Sequence, residues 1–310
     1  MRVLVTGGAG FIGHHLVRTL VERGDGVAVI DDFSSGKPAR LESVRDRIEL
    51  IDGSILDRAA LDRAIEGAEV VFHEAAVASV AESLIAPVAT NEVNVTGTIE
   101  VVLAAARHHV RRVILAASCA VYGVPERLPC AEDLRTAPTS PYGASKLAAE
   151  HYLHTLGASL GVETVALRYF NVFGPGQDPA SEYAAVVPKF ISAALRGDGP
   201  TINGSGGISR DFVYVDNVVA ANLLAALPDR PSGLTCNVGS GSQTTLLQLL
   251  DAICEATGGR VQPVFGPARA GDIPDSLADI GLARRALGYE PAVSFEEGIA
   301  RTVAGLRSPE

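Results

Sequence analysis

Cysteine is scarce in this 310-residue chain: four residues, Cys119, Cys130, Cys236 and Cys254, scattered without a Cys-x-x-Cys pair and without a histidine cluster beside them. That spacing excludes a disulfide framework and a zinc site. Reduced thiols, no metal and a cytoplasmic compartment are the expectation. Apolar runs of membrane-spanning length are also missing, and the first strand begins almost at residue 1, which leaves no room for a signal peptide. Positive charge is short as well, with 26 Lys and Arg against 36 Asp and Glu and a formal net charge of −10. Non-specific binding to nucleic acid or to an anionic membrane is therefore disfavoured, and an anionic substrate needs a local basic pocket. What the chain has in quantity is apolar residue, 47%, with a mean hydropathy of +0.22. A soluble enzyme with an extensive buried sheet fits, as one large α/β domain or two packed lobes.

The first 36 residues carry the strongest pattern. Val3 to Val5 is a short apolar, β-branched run suited to a buried parallel strand. Gly7, Gly10 and Gly13 follow at a spacing of three, and a helical apolar pattern (Phe11, Ile12, Leu16, Val17, Leu20) starts at once. A second run, Val27 to Ile30, ends in Asp31 and Asp32, followed by Ser35 and Gly36. Strand, glycine turn, helix, strand and acid in this order bind a dinucleotide. The glycines let backbone approach a pyrophosphate, and the helix N-terminus offers unpaired N–H groups to the anion. Asp31 can accept from a ribose 2′-hydroxyl and, with no basic residue next to it in sequence, favours NAD over NADP.

Further along, Ile48–Ile51 reads as a third strand whose mouth presents Ser54 and Ile55 to the cofactor, with Asp57 capping the next helix. Val70–His73 is a fourth strand, ending in Glu74-Ala75-Ala76, where the small residues Ala75 and Ala76 let backbone lie against the cofactor. A long helix is expected over 91–107, carrying Asn94 either towards the cofactor or into the interior. Arg112 to Ala117 is another buried strand, ending at Ser118. Alternating strands and helices imply a doubly wound parallel sheet of the Rossmann kind. Pro125 to Pro141 is a surface loop, and Gly197 to Gly207 reads as a mobile glycine-rich loop. A late strand near 235–239 and a helix from Leu246 to Cys254 complete the pattern.

Tyr142 and Lys146 share a helix opened by Ser140-Pro141, and their i,i+4 spacing stacks them on one face. An ammonium beside a phenol favours the phenolate, so the Tyr142 pKa is expected to fall towards neutrality. Such a tyrosine is a general base and acid for a sugar hydroxyl. An ordinary exposed Tyr–Lys pair is the bland alternative, weakened by the nicotinamide site and the strand-end Ser118.

The chain resembles the extended short-chain dehydrogenase/reductase superfamily, in its nucleotide-sugar epimerase/dehydratase branch. Thr6-Gly7-Gly8-Ala9-Gly10-Phe11-Ile12-Gly13 matches that branch's cofactor turn, and Ser118 with Tyr142-x-x-x-Lys146 its catalytic triad. The likeness continues through Leu167–Gly176, Val187-Pro-Lys-Phe, Arg210–Asp216 and Arg269-Ala-Gly-Asp272, over essentially the whole length. It implies that Asn171 contacts the diphosphate of a UDP-sugar. It implies too that Arg210, Arg269 and Asp272 clamp diphosphate and ribose, where two guanidiniums make forked, charge-assisted bonds, and that Val187, Thr201 and Asn203 lie on the nucleotide side. It divides the chain into an NAD-binding domain over 1–172 and a nucleotide-sugar lobe over 173–310, interleaved with the sheet, and suggests a homodimer built through a helix bundle.

Within that branch, dehydratases carry Asp-Glu after the catalytic Ser or Thr, because elimination needs one group to remove a proton and another to protonate the leaving hydroxyl. Here Cys119-Ala120 stands there, and 4-epimerisation is the expected reaction. Glucuronate enzymes place arginines in the segment that reads Gly174-Pro-Gly-Gln-Asp178-Pro, so Asp178 disfavours that alternative, as Cys119-Ala120 disfavours a dehydratase; another 4-keto chemistry, reduction, stays open. A catalytically silent NAD-binding regulator is disfavoured by the intact triad. Seven positions after Arg269, where enzymes restricted to glucose and galactose carry Tyr, this chain has Ser276. The resemblance therefore implies room for a 2-acetamido group and turnover of UDP-GlcNAc and UDP-GalNAc alongside UDP-glucose and UDP-galactose.

Overall fold

The β-branched runs of the first half pair as strands because each is apolar on both faces and has to be covered on both. A computed structural model describes residues 1–179, 185–267 and 275–307. Its central sheet has seven strands: β1 (Arg2–Thr6), β2 (Gly26–Asp31), β3 (Ile48–Asp52), β4 (Val70–His73), β5 (Arg112–Ser118), β6 (Glu163–Tyr169) and a last strand, Leu234–Val238. From one edge to the other the order is the last strand, β6, β5, β4, β1, β2, β3, and every pairing is parallel. The chain leaves β1 outward to β3 and then returns to β4 on the other side of β1. Strand order reverses there, so a crevice opens at the C-terminal ends of β1 and β4.

Side chains of β1 alternate between the faces. Val3 and Val5 pack with Leu16, Leu20 and Phe72 on one side. Leu4 packs with Ile30, Val71, Leu115 and the helices Arg58–Ile65, Gly97–Arg107 and Pro141–Leu160 on the other. Each such Val or Leu, fully withdrawn from water, contributes about 1.5–3 kcal/mol. A third apolar cluster, with Phe173, Phe190, Ile202, Tyr214 and Ile299, belongs to the second half of the chain.

Local signals set several boundaries. Asp57 caps its helix by accepting from the N–H groups of Ala59 and Ala60 at 2.9 and 3.2 Å. Ser140 caps the Pro141–Leu160 helix through the Gly143 N–H at 3.1 Å. The helix expected over 91–107 is broken: Pro87–Asn91 leads into a π turn, Glu92–Thr96, before Gly97–Arg107 resumes. The segment expected to be a mobile glycine-rich loop contains a strand, Thr201–Asn203, paired in parallel with Val264–Gly266. Apolar Ile202, fully buried, is what holds it there. No helix among the described residues is long and apolar enough to cross a membrane.

Candidate active site

At the crevice the first glycine turn packs so closely that side chains are excluded. Gly7 has φ +67°, and a Cβ there would lie 2.7 Å from the backbone of Ala75. A Cβ on Gly10 would press on the Gly7 carbonyl at 3.0 Å, and one on Gly13 would overlap it. The helix Phe11–Glu22 has no side-chain cap, so its first N–H groups face the crevice. A cavity of about 620 Å³ opens there, lined by Gly7, Gly10, Phe11, Ile12, Gly13, Asp31, Asp32, Ser35, Ser54, Ile55, Ala75 and Ala76 from the expected cofactor set. Ser118, Tyr142 and Lys146 line the same cavity, so cofactor cradle and triad form one space.

Three details differ from the expectations. Asp31 first holds its own turn: one oxygen accepts from the Ala9 N–H at 2.8 Å, the other from the Phe33 N–H at 2.9 Å. Gly36 does not line the cavity. It lies under that carboxylate, where a Cβ would stand 2.5 Å from an oxygen. A carboxylate has further lone pairs for a ribose hydroxyl. Asp31 also has a basic neighbour after all, Arg40, brought round by the 3₁₀ helix Pro38–Arg47. Its guanidinium donates to the carbonyls of Ala9 and Gly176, at 3.0 and 2.6 Å. The third detail is Asn94, which is buried behind the cavity. It exchanges hydrogen bonds with the backbone of Val77 (2.8 and 3.0 Å) and donates to the Ser145 hydroxyl at 2.9 Å. Asn94 thus braces the loop after β4 against the Tyr142 helix, and the π turn is what points it there.

On the wall of this cavity Ser118 and Lys146 are buried and Tyr142 is half-buried. Ser118 accepts from the Ala120 N–H at 3.2 Å and hydrogen-bonds the Tyr142 phenol. Burial pushes Tyr142 up to about 12, a rise the Ser118 contact only offsets in part. This corrects the expected fall towards neutrality: the Lys146 ammonium donates to the Ala116 carbonyl at 2.9 Å, and removing water disfavours the phenolate more. Lys146 itself is pulled down to about 8 by burial, against the pull of Glu74 and Glu150. Burial pushes the Cys119 thiol up to about 12, which disfavours the thiolate that a nucleophile needs.

On the substrate side, Asn171 donates to the Ser276 hydroxyl and to the Asp211 carbonyl, each at 3.2 Å. Arg210 donates to the Ser209 carbonyl at 2.8 Å. Asp211 fixes this corner: its buried carboxylate accepts from the N–H groups of Ser240, Gly241 and Ala278 at 2.7, 3.0 and 3.0 Å. Val187, expected on the nucleotide side, is buried in the third apolar cluster and does not line the cavity. Thr201 and Asn203 are on the small two-stranded sheet. Arg269 and Asp272 lie outside the described residues. Missed by sequence reasoning were Tyr169, Phe170 and Gln177, which also line the cavity. Their signal, strand ends on the cavity side, was present at β6. Asp178, suspected from the sequence, is paired with Lys37 at 2.6 Å.

The glycine cradle, the uncapped helix start and the acids ending β2 fit NAD. Residues 3–239 match the NAD-dependent epimerase/dehydratase family. The chain is 41% identical to the UDP-glucose 4-epimerase of Mycolicibacterium smegmatis, over 99% of each protein. Among solved structures, it is 38% identical to the UDP-N-acetylglucosamine 4-epimerase of Methanobrevibacter ruminantium in complex with UDP-N-acetylmuramic acid, with TM-score 0.94 over 100% and 99% of the two chains. It is also 38% identical to a Thermus thermophilus UDP-glucose 4-epimerase in complex with NAD, with TM-score 0.90 over 100% of both chains. The chain belongs to the NAD-dependent epimerase/dehydratase family, and NAD is the dinucleotide its cavity accommodates.

Proposed function

We propose that this protein is a 4-epimerase of UDP-hexoses that interconverts UDP-GlcNAc with UDP-GalNAc as well as UDP-glucose with UDP-galactose. The observation that carries the reading is that Ser118, Tyr142 and Lys146 open into the dinucleotide cavity while the residues after Ser118, Cys119 and Ala120, offer no acid–base pair for elimination. Tyr142, as the phenolate, takes the proton of the sugar 4-hydroxyl and so returns to the phenol, Ser118 donates to the same oxygen, and the positive charge of Lys146 favours that phenolate. NAD, when bound, supplies a ring that takes the C4 hydride and gives it back. Returning it to the opposite face of the 4-keto sugar requires only that the sugar turn, so Tyr142 then reprotonates the oxygen. In this reading residues 1–172 hold the cofactor, and Asn171, Arg210, Arg269 and Asp272 hold the UDP diphosphate and ribose.

Ser276, in contact with Asn171, supports the 2-acetamido substrates, since serine leaves open a space that tyrosine would fill. Glucuronate is disfavoured because an acid, Asp178, stands where a positive charge would be needed to meet the extra carboxylate. The protein is a cytoplasmic homodimer in this reading: its thiols are free, and Leu84, Ile85 and Val88 are 65–74% exposed on adjacent helices.

The test is a panel of UDP-hexoses whose C4 configuration is followed by NMR, with wild type and Ser276→Tyr. The variant should lose kcat/KM on UDP-GlcNAc by about tenfold or more, because filling a pocket is a steric veto, and keep it on UDP-glucose. Equal losses, or a wild type inert towards UDP-GlcNAc, would remove the N-acetyl assignment. Absence of any C4 inversion would remove the epimerase.

A further inference from the structure

Glu74 has no part in the reaction just described, yet its carboxyl lines the catalytic cavity with Tyr142 and Lys146. It stands at the mouth of β4, its own N–H donating to the Thr6 carbonyl at 3.2 Å. One carboxyl oxygen accepts from the Tyr169 hydroxyl at 2.8 Å, and Asn222 donates to that hydroxyl in turn at 2.7 Å. This chain of donors runs from the core into the cavity and ends on the carboxylate, which fits an ionised acid held in one orientation.

A buried ammonium needs a counter-charge. Two carboxylates act on Lys146 through space, Glu74, which shares its cavity, and Glu150, while its direct contact is the Ala116 carbonyl. Glu150 is already engaged by Arg168, in forked contacts of 2.8 and 3.0 Å. Glu74 has no such arginine contact among the described residues, where its carboxylate accepts from a neutral phenol, that of Tyr169. The remaining groups facing the pair are His73 on β4, pulled down to about 3 and therefore neutral, Tyr142 and Tyr169, both pushed up and neutral, and Cys236 beside Tyr169, also neutral. Resting on the epimerase reading, we propose that Glu74 is a positioning residue: its carboxylate, oriented by Tyr169, is the counter-charge that keeps Lys146 an ammonium beside Tyr142. Burial raises Glu74 and lowers Lys146, and each charge offsets the other's shift, so the state of either group is sensitive to its partner.

The chain has three lysines, Lys37, Lys146 and Lys189, and the first and last are exposed. In holoenzyme carrying ε-¹³C-lysine, NMR titration reads Lys146 against two internal controls. Glu74→Gln keeps the acceptor for Tyr169 and removes the charge. Its Lys146 midpoint should fall by about one pH unit, the alkaline limb of kcat should move down with it, and Lys37 and Lys189 should not shift. Tyr169→Phe, which frees the carboxylate without touching Lys146, should move the midpoint the same way by less and serves if Glu74→Gln folds poorly. A Lys146 midpoint unchanged in both variants overturns the proposal. A midpoint that moves in protein unable to invert C4 of any UDP-hexose leaves the counter-charge standing and removes the epimerase reading instead.

Discussion

At the scale of single residues, the proposed chemistry rests on the phenol of Tyr142. With water removed, its pKa stands near 12 and only the Ser118 hydrogen bond works against burial. Proton transfer by such a group is worth about 10²–10⁴-fold. Tyr142→Phe should therefore cut turnover by at least 10²-fold while NAD content, measured from the absorbance of protein-released cofactor, stays the same. The glycine cradle and Asp31 lie on other elements, and the variant leaves them intact. Activity within about tenfold of wild type would show that another group moves the proton. Spacing alone placed Tyr142 and Lys146 on one face. It did not show that Lys146 turns its ammonium to the Ala116 carbonyl, because that contact is made by a strand 30 positions away.

At the scale of elements, the helices Val80–Ile85 and Pro87–Asn91 pack against the Tyr142 helix and leave apolar side chains outward. Leu84, Ile85 and Val88 are 65, 74 and 71% exposed, and Tyr152 on the Tyr142 helix is 46% exposed. Such a cluster on an otherwise acidic surface is expected at an interface. Because it is carried partly by the catalytic helix, a partner copy would stiffen the element that positions Tyr142 and Lys146. Analytical ultracentrifugation should give a mass twice the 32.2 kDa of one chain, and Leu84→Glu combined with Ile85→Glu should give a monomer. A wild type already monomeric at micromolar concentration would remove the dimer. The Glu92–Thr96 π turn was not legible in advance, since its residues carry an ordinary helical pattern. It turns Asn94 towards both Val77 and Ser145.

At the scale of the whole molecule, the two halves of the chain meet over the first glycine turn. His14 donates through Nδ1–H to the Gly10 carbonyl at 2.9 Å, and His15 donates through Nε2–H to the Pro175 carbonyl at 2.9 Å. Arg40 ties Ala9 to Gly176, and Lys37 pairs with Asp178. His14 is buried and pulled down to about 3 by desolvation, then by His15. Its folded pKa is depressed, so the stability tied to its neutral form is complete above the unfolded value of 6.5 and is lost as pH falls from there towards 3. At pH 5 the loss is about 2 kcal/mol, since each pKa unit is worth about 1.4 kcal/mol. His14→Asn, whose amide replaces the Nδ1 contact, should lose less melting temperature than wild type between pH 7 and pH 5. Equal losses in the two proteins would mean that His14 is protonated without hindrance in the folded state.

The sequence by itself determined the parts that are local. Glycines at a spacing of three, a β-branched run before them and an acid after the next run specify the cradle, because close backbone approach admits no side chain. The caps at Asp57 and Ser140 were readable for the same reason: each satisfies N–H groups within three residues of itself. Alternating runs determined a parallel sheet, though its order and the late strand Leu234–Val238 beside β6 depended on which faces could be covered. The tertiary structure decided everything set by desolvation and distant contact. It raised Tyr142 rather than lowering it, turned Asn94 inward, brought Arg40 to Asp31 and made a strand of Thr201–Asn203. It also brought Glu74 and Lys146, 72 positions apart in sequence, to the wall of one cavity. Burial and through-space charge are properties of the packed molecule, and no local spacing encodes them.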